Sequence, residues 1–291
     1  MSEYTQIFKG TAFSSKSSQE VQILKGYLFC INADGMIAKT VAPDHTDYQK
    51  LLHTYQGKEN FHHLADGQYF FTWLCRSTCP CTTMAQAGTA LDIPLYDWLN
   101  TYTFPIEAKF SDLQFAQEVY EDLVSTLLAN GTTTSLYFAT VHKEASLLLA
   151  KICAEKGQRG LVGKVVMDDP EQNPAFYRDA DTQTALADTE EFILAVKALA
   201  KSTKQGVYPV VTPRFIPSCT NGALQGLGEL AAKYDTHIQS HCSESDWEHG
   251  YVQQRFKKND AFALHDFGLL GDKAVMAHCN FFKRGRCKFI C

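Results

Sequence analysis

The chain has 291 residues, 45% hydrophobic and 20% charged, the balance of a globular protein with ample core for one large domain or two small ones. A formal net charge of -5 leaves no basic footprint for nucleic acid. No apolar run reaches the roughly 18 residues of a membrane span, and the polar start MSEYTQIFKG lacks a signal peptide's apolar core. The expectation is a cytoplasmic protein whose ten cysteines are mostly reduced thiols.

Residues 1–68 read as a small β unit. VQILKGYLFCI and GMIAKTVA are β-rich runs separated by NADG, a turn signal. Residues 69–291 read differently. They open with YFFTWLCRSTCPCTTMAQAGTA, which holds Cys75, Cys79 and Cys81. The spacing C-x3-C-x-C is not a standard zinc-finger spacing, although a metal or redox cluster remains a rival reading.

A regular pattern then sets in. SDLQFAQEVYEDLVSTLLANG predicts a helix, with Ser111 and Gln114 as a capping box, Leu113, Ala116, Tyr120, Leu123 and Leu127 at helical spacing, and Asn130-Gly131 as the stop. TTTSLYFAT predicts a strand, HKEASLLLAKICAEKG a helix, and GLVGKVVMD a strand. DTEEFILAVKALAKS predicts a helix opened by Asp188. The strands VYPVVTPRF, THIQSHC and AVMAHC follow, with NGALQGLGELAAKY and SDWEHGYVQQRFKK as the helices between them. These are β-α units of the size that parallel crossovers require. An open doubly wound sheet and a (β/α)8 barrel both fit. No G-x-G-x-x-G opens any of the helices, which weakens dinucleotide binding. His142, Asp168, Arg214, His241, Glu244 and His278 fall at the C-terminal ends of strands, where barrel enzymes place their chemistry.

HIQSHCSE is the most informative stretch. Alternation puts His237, Gln239 and His241 on one strand face, and Glu244 follows three residues after His241. A histidine that holds zinc beside a carboxylate that shuttles a proton suits metal-assisted hydrolysis. The plainer alternative is a satisfied histidine in a surface loop. His278 closes another apolar strand and could simply bond a carbonyl. Arg214 closes a third strand. It could grip a planar substrate through its fixed fork of donors, or pair with a loop carboxylate. Three such residues at one end of successive strands weigh more than each alone.

The runs GTALDIPLYDWLNTYTFPIE, NGTTTSLYFATVH, GKVVMDD, TPRFIPSC, HIQSHCSESDWE and VMAHCNF, in this order, resemble the bacterial guanine deaminases of the amidohydrolase superfamily. The resemblance implies a zinc-bearing TIM-type barrel with a small β domain, and hydrolysis of guanine to xanthine and ammonia in purine catabolism. It assigns His241 to zinc, Glu244 to the proton shuttle, and His278 to orienting the attacking hydroxide or the substrate. It places Arg214 and Phe215 on the purine. It also points to a homodimer.

The sequence departs from this pattern in two places, the stretch after Tyr69 and the tail. The family carries a His-x-His zinc pair at the end of its first barrel strand, where this chain has Thr78 and Pro80. Proline has no metal-binding side chain, and a threonine hydroxyl is a poor ligand for zinc. FTWLCRSTCPCTTMA can be back-translated so that the neighbouring frame reads LPGFVDLHAHAPQW, the family motif. KRGRCKFIC likewise gives NEEDANLY. Compensating shifts near Phe70 and Ala85, and another after about residue 282, therefore account for the clustered Cys75, Cys79, Cys81, Cys287 and Cys291. The fold expected is α/β, an incomplete (β/α)8 barrel of strands one to six, without the family's eighth-strand aspartate. With one family zinc ligand left, weak or absent zinc, aggregation and inactivity are expected. The alternatives are a non-catalytic purine binder and another amidohydrolase acting on a purine-like ring.

Overall fold

The computed structural model describes residues 4–17, 20–71, 74–86, 88–90 and 92–281. The chain divides into two compact units, residues 1–74 and 75–291.

The first unit is a β-sheet with one helix. Strands β1 (Gln6–Ser17) and β2 (Glu20–Ile31) form a long antiparallel pair, and β3 (Ile37–Val41) adds to β2. The NADG signal makes the expected turn. Asn32 Oδ1 accepts from the amides of Asp34 and Met36, and Gly35 takes the left-handed φ of 76° that a side chain would disfavour. Helix α1 (Thr46–Tyr55) was not legible in the sequence. It is started by His45, whose side chain accepts from the Asp47 amide, and it buries Tyr48, Leu51 and Tyr55 against Ile7, Leu28 and Val41. Strands β4 (Phe61–His63) and β5 (Tyr69–Phe71) run parallel to β1. Pairing of β5 with β1 carries this unit past residue 68, where composition placed the boundary.

The second unit is built from β-α units. Its strands are β6 (Leu74–Pro80), β7 (Thr132–Phe138), β8 (Arg159–Gly163), β9 (Val165–Val166), β10 (Val207–Pro213), β11 (His237–Cys242) and β12 (Ala274–His278). They lie side by side in the order β6-β7-β8-β10-β11-β12, with β9 also against β10. Each register from β7 onward is parallel. Consecutive parallel strands joined by helices make the curled sheet of an incomplete TIM-type barrel, as expected. The doubly wound alternative would need a strand order that reverses.

Between β6 and β7 the chain makes a tight turn at Cys81–Gln86 and then a run of short turns. These are α2 (Leu95–Trp98), a wider turn at Leu99–Thr103, α3 (Phe104–Ala108) and a tight turn at Lys109–Ser111. Helix α4 (Leu113–Ala129) buries Ala116, Tyr120, Leu123 and Leu127 of the predicted stripe and Val124 besides, while Leu113, at its first position, is exposed. Its cap differs from the expectation. Asp112, not Ser111, accepts from the Gln114 amide, and the Ser111 hydroxyl donates back to the Ala108 carbonyl. Helix α5 (Lys143–Lys156) stops at left-handed Gly157. Helix α6 (Thr182–Ala200) starts well before Asp188. Asp181 caps it by accepting from the Thr184 amide, while Asp188 lies inside the helix and pairs with Lys143 at 2.7 Å. Helix α7 (Asn221–Tyr234) matches its predicted span, capped by Thr220. Helix α8 (Asp246–Phe256) and the unforeseen α9 (Asp260–Asp266) link β11 to β12.

Cys79 and Cys81 are buried in the core shared by α4, α5 and β7, and the Cys81 thiol donates to the Phe138 carbonyl at 3.0 Å. Burial, with Cys79 and Glu107 nearby, pushes the Cys81 thiol well up, the opposite of what a reactive or metal-binding thiolate needs. The side chains of Cys75, Thr78 and Pro80, and residues 282–291 with Cys287 and Cys291, lie outside the described residues. No helix among the described residues is long and apolar enough to cross a membrane.

Candidate active site

The C-terminal ends of three successive strands deliver four polar side chains to one place. Arg214 and Phe215 follow β10, His241 lies near the end of β11, Glu244 sits just beyond it, and His278 ends β12. With Thr82, Gln86, Trp98, Thr103 and Glu107 from the turns after β6, they wall a cavity of about 180 Å³. The strand ends are bent to achieve this. Ser243, His278 and Cys279 all have left-handed φ, at 52°, 71° and 56°. The Cys279 amide donates to the Cys242 carbonyl at 2.7 Å and the Asn280 amide to Ser243 at 3.2 Å, which holds the bend.

His241 is oriented by the backbone. Its Nδ1 lies 3.0 Å from the Arg214 carbonyl oxygen, which can only accept. The proton is therefore on Nδ1, and Nε2 keeps its lone pair. Burial, reinforced by the Arg214 cation, pushes its pKa down to about 3, so the ring is neutral. The Phe138 ring meets it edge-on at 4.6 Å, and the His278 ring stacks at 5.5 Å. Glu244 Oε1 lies 3.3 Å from His278 Nε2. Burial raises the Glu244 pKa, against the pull of His278 and Arg214. A carboxyl held in that balance can both take and give a proton.

Arg214 is buried, its guanidinium 4.9 Å from the Phe104 ring centroid and 5.8 Å from that of Phe138. Two of its nitrogens donate to Glu107, at 2.7 and 3.4 Å, and the Thr82 hydroxyl donates to the same carboxylate at 3.0 Å. Burial works against the charged guanidinium, but Glu107 and Tyr177 outweigh it and its pKa ends above the ordinary value. Phe215 is buried beside Trp247 at 5.7 Å.

Arg214, Phe215, His241, Glu244 and His278 thus come together as the sequence suggested. His142 and Asp168 do not line this cavity. His142 precedes α5, and Asp168 accepts from the Thr220 amide and hydroxyl at 2.8 and 2.6 Å, tying down the start of α7. Glu107, Thr82, Gln86 and Thr103 were not foreseen. One signal was available for Glu107: it is the only acid in the run NTYTFPIEAKF, and a buried arginine needs an acid.

A profile of the Amidohydrolase family matches residues 82–287, and the chain belongs to that family. Its similarity within the family is to guanine deaminases. The chain is 36% identical to guanine deaminase of Dictyostelium discoideum over 284 residues, which cover 94% of this chain and 62% of that protein. It is 35% identical to human guanine deaminase over 281 residues, covering 96% and 60%. The crystal structure of guanine deaminase from C. acetobutylicum with bound guanine in the active site superimposes with a TM-score of 0.81 at 31% identity, covering 96% of this chain and 63% of that one. The chain therefore spans about three fifths of the length of the relatives it matches.

The residues present suit a divalent metal in kind. His241, Glu244 and His278 each offer one ligand atom, all within 4.8 Å of one another, the only such group among the described residues. Two imidazoles and a carboxylate are donors that hold zinc elsewhere.

Proposed function

We propose that this cavity is the active site of a guanine deaminase, which replaces the exocyclic amine at C2 of guanine by oxygen from water and releases xanthine and ammonia. The observation that carries the reading is the convergence of Arg214, Phe215, neutral His241, Glu244 and His278 on one small cavity, in a chain about 35% identical to guanine deaminases. His241 Nε2, with its lone pair free, is the donor that would hold the metal. Zinc bound there supplies a water acidified toward neutral pH. Glu244 is placed to take a proton from the attacking water and return it to the departing amine. His278 Nε2, 3.3 Å from Glu244 Oε1, steadies the carboxyl in whichever state it holds. Phe215 supplies an apolar face for a flat ring, and Arg214 presents positive charge to a ring oxygen or nitrogen.

A second reading is favoured by Thr78 and Pro80 standing where the family's histidine pair is expected: a purine-binding chain without turnover. Measuring zinc content, guanine binding and ammonia release on the purified chain separates the two. Stoichiometric zinc with ammonia release that Glu244→Gln abolishes supports the deaminase. Guanine binding without zinc or ammonia supports the binder. A monodisperse chain that binds no guanine overturns both.

A further inference from the structure

Two cysteines that the proposed reaction does not use stand next in sequence to His241 and His278. Cys242 ends β11, and Cys279 comes just after the end of β12. The two strands are in parallel register there, with Cys242 opposite His278. The Cys279 amide donates to the Cys242 carbonyl at 2.7 Å. Bond lengths on either side of that contact cap the Cα–Cα separation at roughly 7 Å, the limit for closing a disulfide. The two thiols face each other, joined by a side-chain hydrogen bond, and both are free. Cys242 is fully buried among Val252, Leu264 and Leu269, while Cys279 packs on the same cluster and is partly exposed. One sulfur is therefore open to an oxidant, and the other lies against it inside.

We propose that Cys242 and Cys279 form a reversible disulfide, a redox site that staples β12 to β11 beside the two histidines. The oxidant is a hydroperoxide. Cys279 Sγ attacks a peroxide oxygen; the S–O bond forms, the O–O bond breaks and water leaves. Cys242 Sγ then attacks the Cys279 sulfur; the S–S bond forms, the S–O bond breaks and a second water leaves. The two sulfurs lose two electrons, the peroxide gains them, and the thiol protons depart in the two waters. A dithiol reductant reverses the reaction by exchange. The strand ladder already sets the backbone, so closure asks the sulfurs to draw together to about 2 Å. Among the described residues β12 has β11 as its sheet neighbour, so a covalent tie at this point bears on the whole strand. The inference stands whether or not the chain deaminates a purine.

Treating the folded full chain with hydrogen peroxide, blocking the remaining thiols with N-ethylmaleimide and digesting with trypsin tests the proposal. Cleavage after Lys233, Arg255, Lys273 and Lys283 puts Cys242 in peptide 234–255 and Cys279 in peptide 274–283. These two peptides are expected as a cross-linked pair that dithiothreitol separates. Hydrogen exchange across residues 274–280 is expected to slow by about tenfold or more in the oxidised chain, because the closed loop removes open states. Cys279→Ser is expected to lose both effects. Cys242→Ala repeats that test from the buried partner. Peptides 234–255 and 274–283 that stay blocked by maleimide, that carry Cys279 as sulfinic acid alone, or that cross-link only after unfolding in urea overturn the proposal. Exchange that slows equally in Cys279→Ser overturns it as well.

Discussion

The Arg214–Glu107 pair makes the sharpest stability prediction. Both side chains are more than nine-tenths buried, and Glu107 is the only carboxylate paired with this guanidinium among the described residues. Glu107→Ala leaves a buried cation among Phe104, Phe138 and Tyr177, with solvent poorly placed to replace the lost charge. Removing one partner of such a pair costs about 3–5 kcal/mol, a large share of the 5–15 kcal/mol that holds a typical domain together. The Thr82 hydroxyl loses its acceptor in the same change, which adds to the loss. At roughly 2–4 °C per kcal/mol for a chain of this size, the midpoint should drop by roughly 6–20 °C. Urea unfolding followed by circular dichroism measures the free energy directly. The double variant Glu107→Leu with Arg214→Met should recover most of it, because apolar replacements of both partners leave no unpaired charge. A Glu107→Ala chain within about 1 kcal/mol of the parent would refute the reasoning, since it would mean that water or another acceptor already serves the guanidinium.

Three further outcomes follow from the same structure. Gly228 of α7 lies so close to the Phe267 carbonyl oxygen that an added Cβ would sit 1.9 Å from it, so Gly228→Ala should destabilise by about 1–3 kcal/mol in the same unfolding assay. Glu248 is fully buried, and burial pushes its pKa up to about 8 from 4.5. Because the folded value is the raised one, its contribution to stability is complete below about pH 4.5 and fades as pH climbs to about 8; Glu248→Gln should flatten that decline between pH 5 and 8, and an identical slope in the variant would show the acid to be ionised throughout. Replacing Cys79 and Cys81 by serine should leave metal content unchanged, as measured by elemental analysis, whereas His241→Ala should lower it; the reverse pattern would revive the cysteine cluster as the metal site.

What could be read from the sequence follows from the range of the interactions involved. Helix α7 was legible to the residue because its signals are local: Thr220 caps its start and an apolar stripe fills the middle. Helix α6 was misjudged at its start because Asp181 and Asp188 look alike in sequence. Only the Thr184 amide bonded to Asp181 distinguishes them. The short turns between residues 81 and 111 carry no periodicity, and they hold the half of the cavity wall that went unseen. His241, Glu244 and His278 were visible because strand ends in a β-α series announce where chemistry gathers. Glu107 meets an arginine 107 positions away, and Gln86 meets Thr103 seventeen positions away. The lone acid of its run is the one local mark that Glu107 leaves.

His278 closes β12, which among the described residues is the last strand at that side of the sheet and has β11 as its sheet neighbour. Two consecutive left-handed residues, His278 and Cys279, bend the chain there, and the bend is held by the Cys279 and Asn280 amides on Cys242 and Ser243 and by the Asn280 side-chain amide on the Glu244 carbonyl at 3.0 Å. The His278–Glu244 corner, to which the proposed reaction assigns the proton, is thus carried by a strand at the border of the described sheet. Whatever lies along the outer side of β12, a further strand or a second polypeptide, would bear directly on the His278–Glu244 contact in the cavity wall.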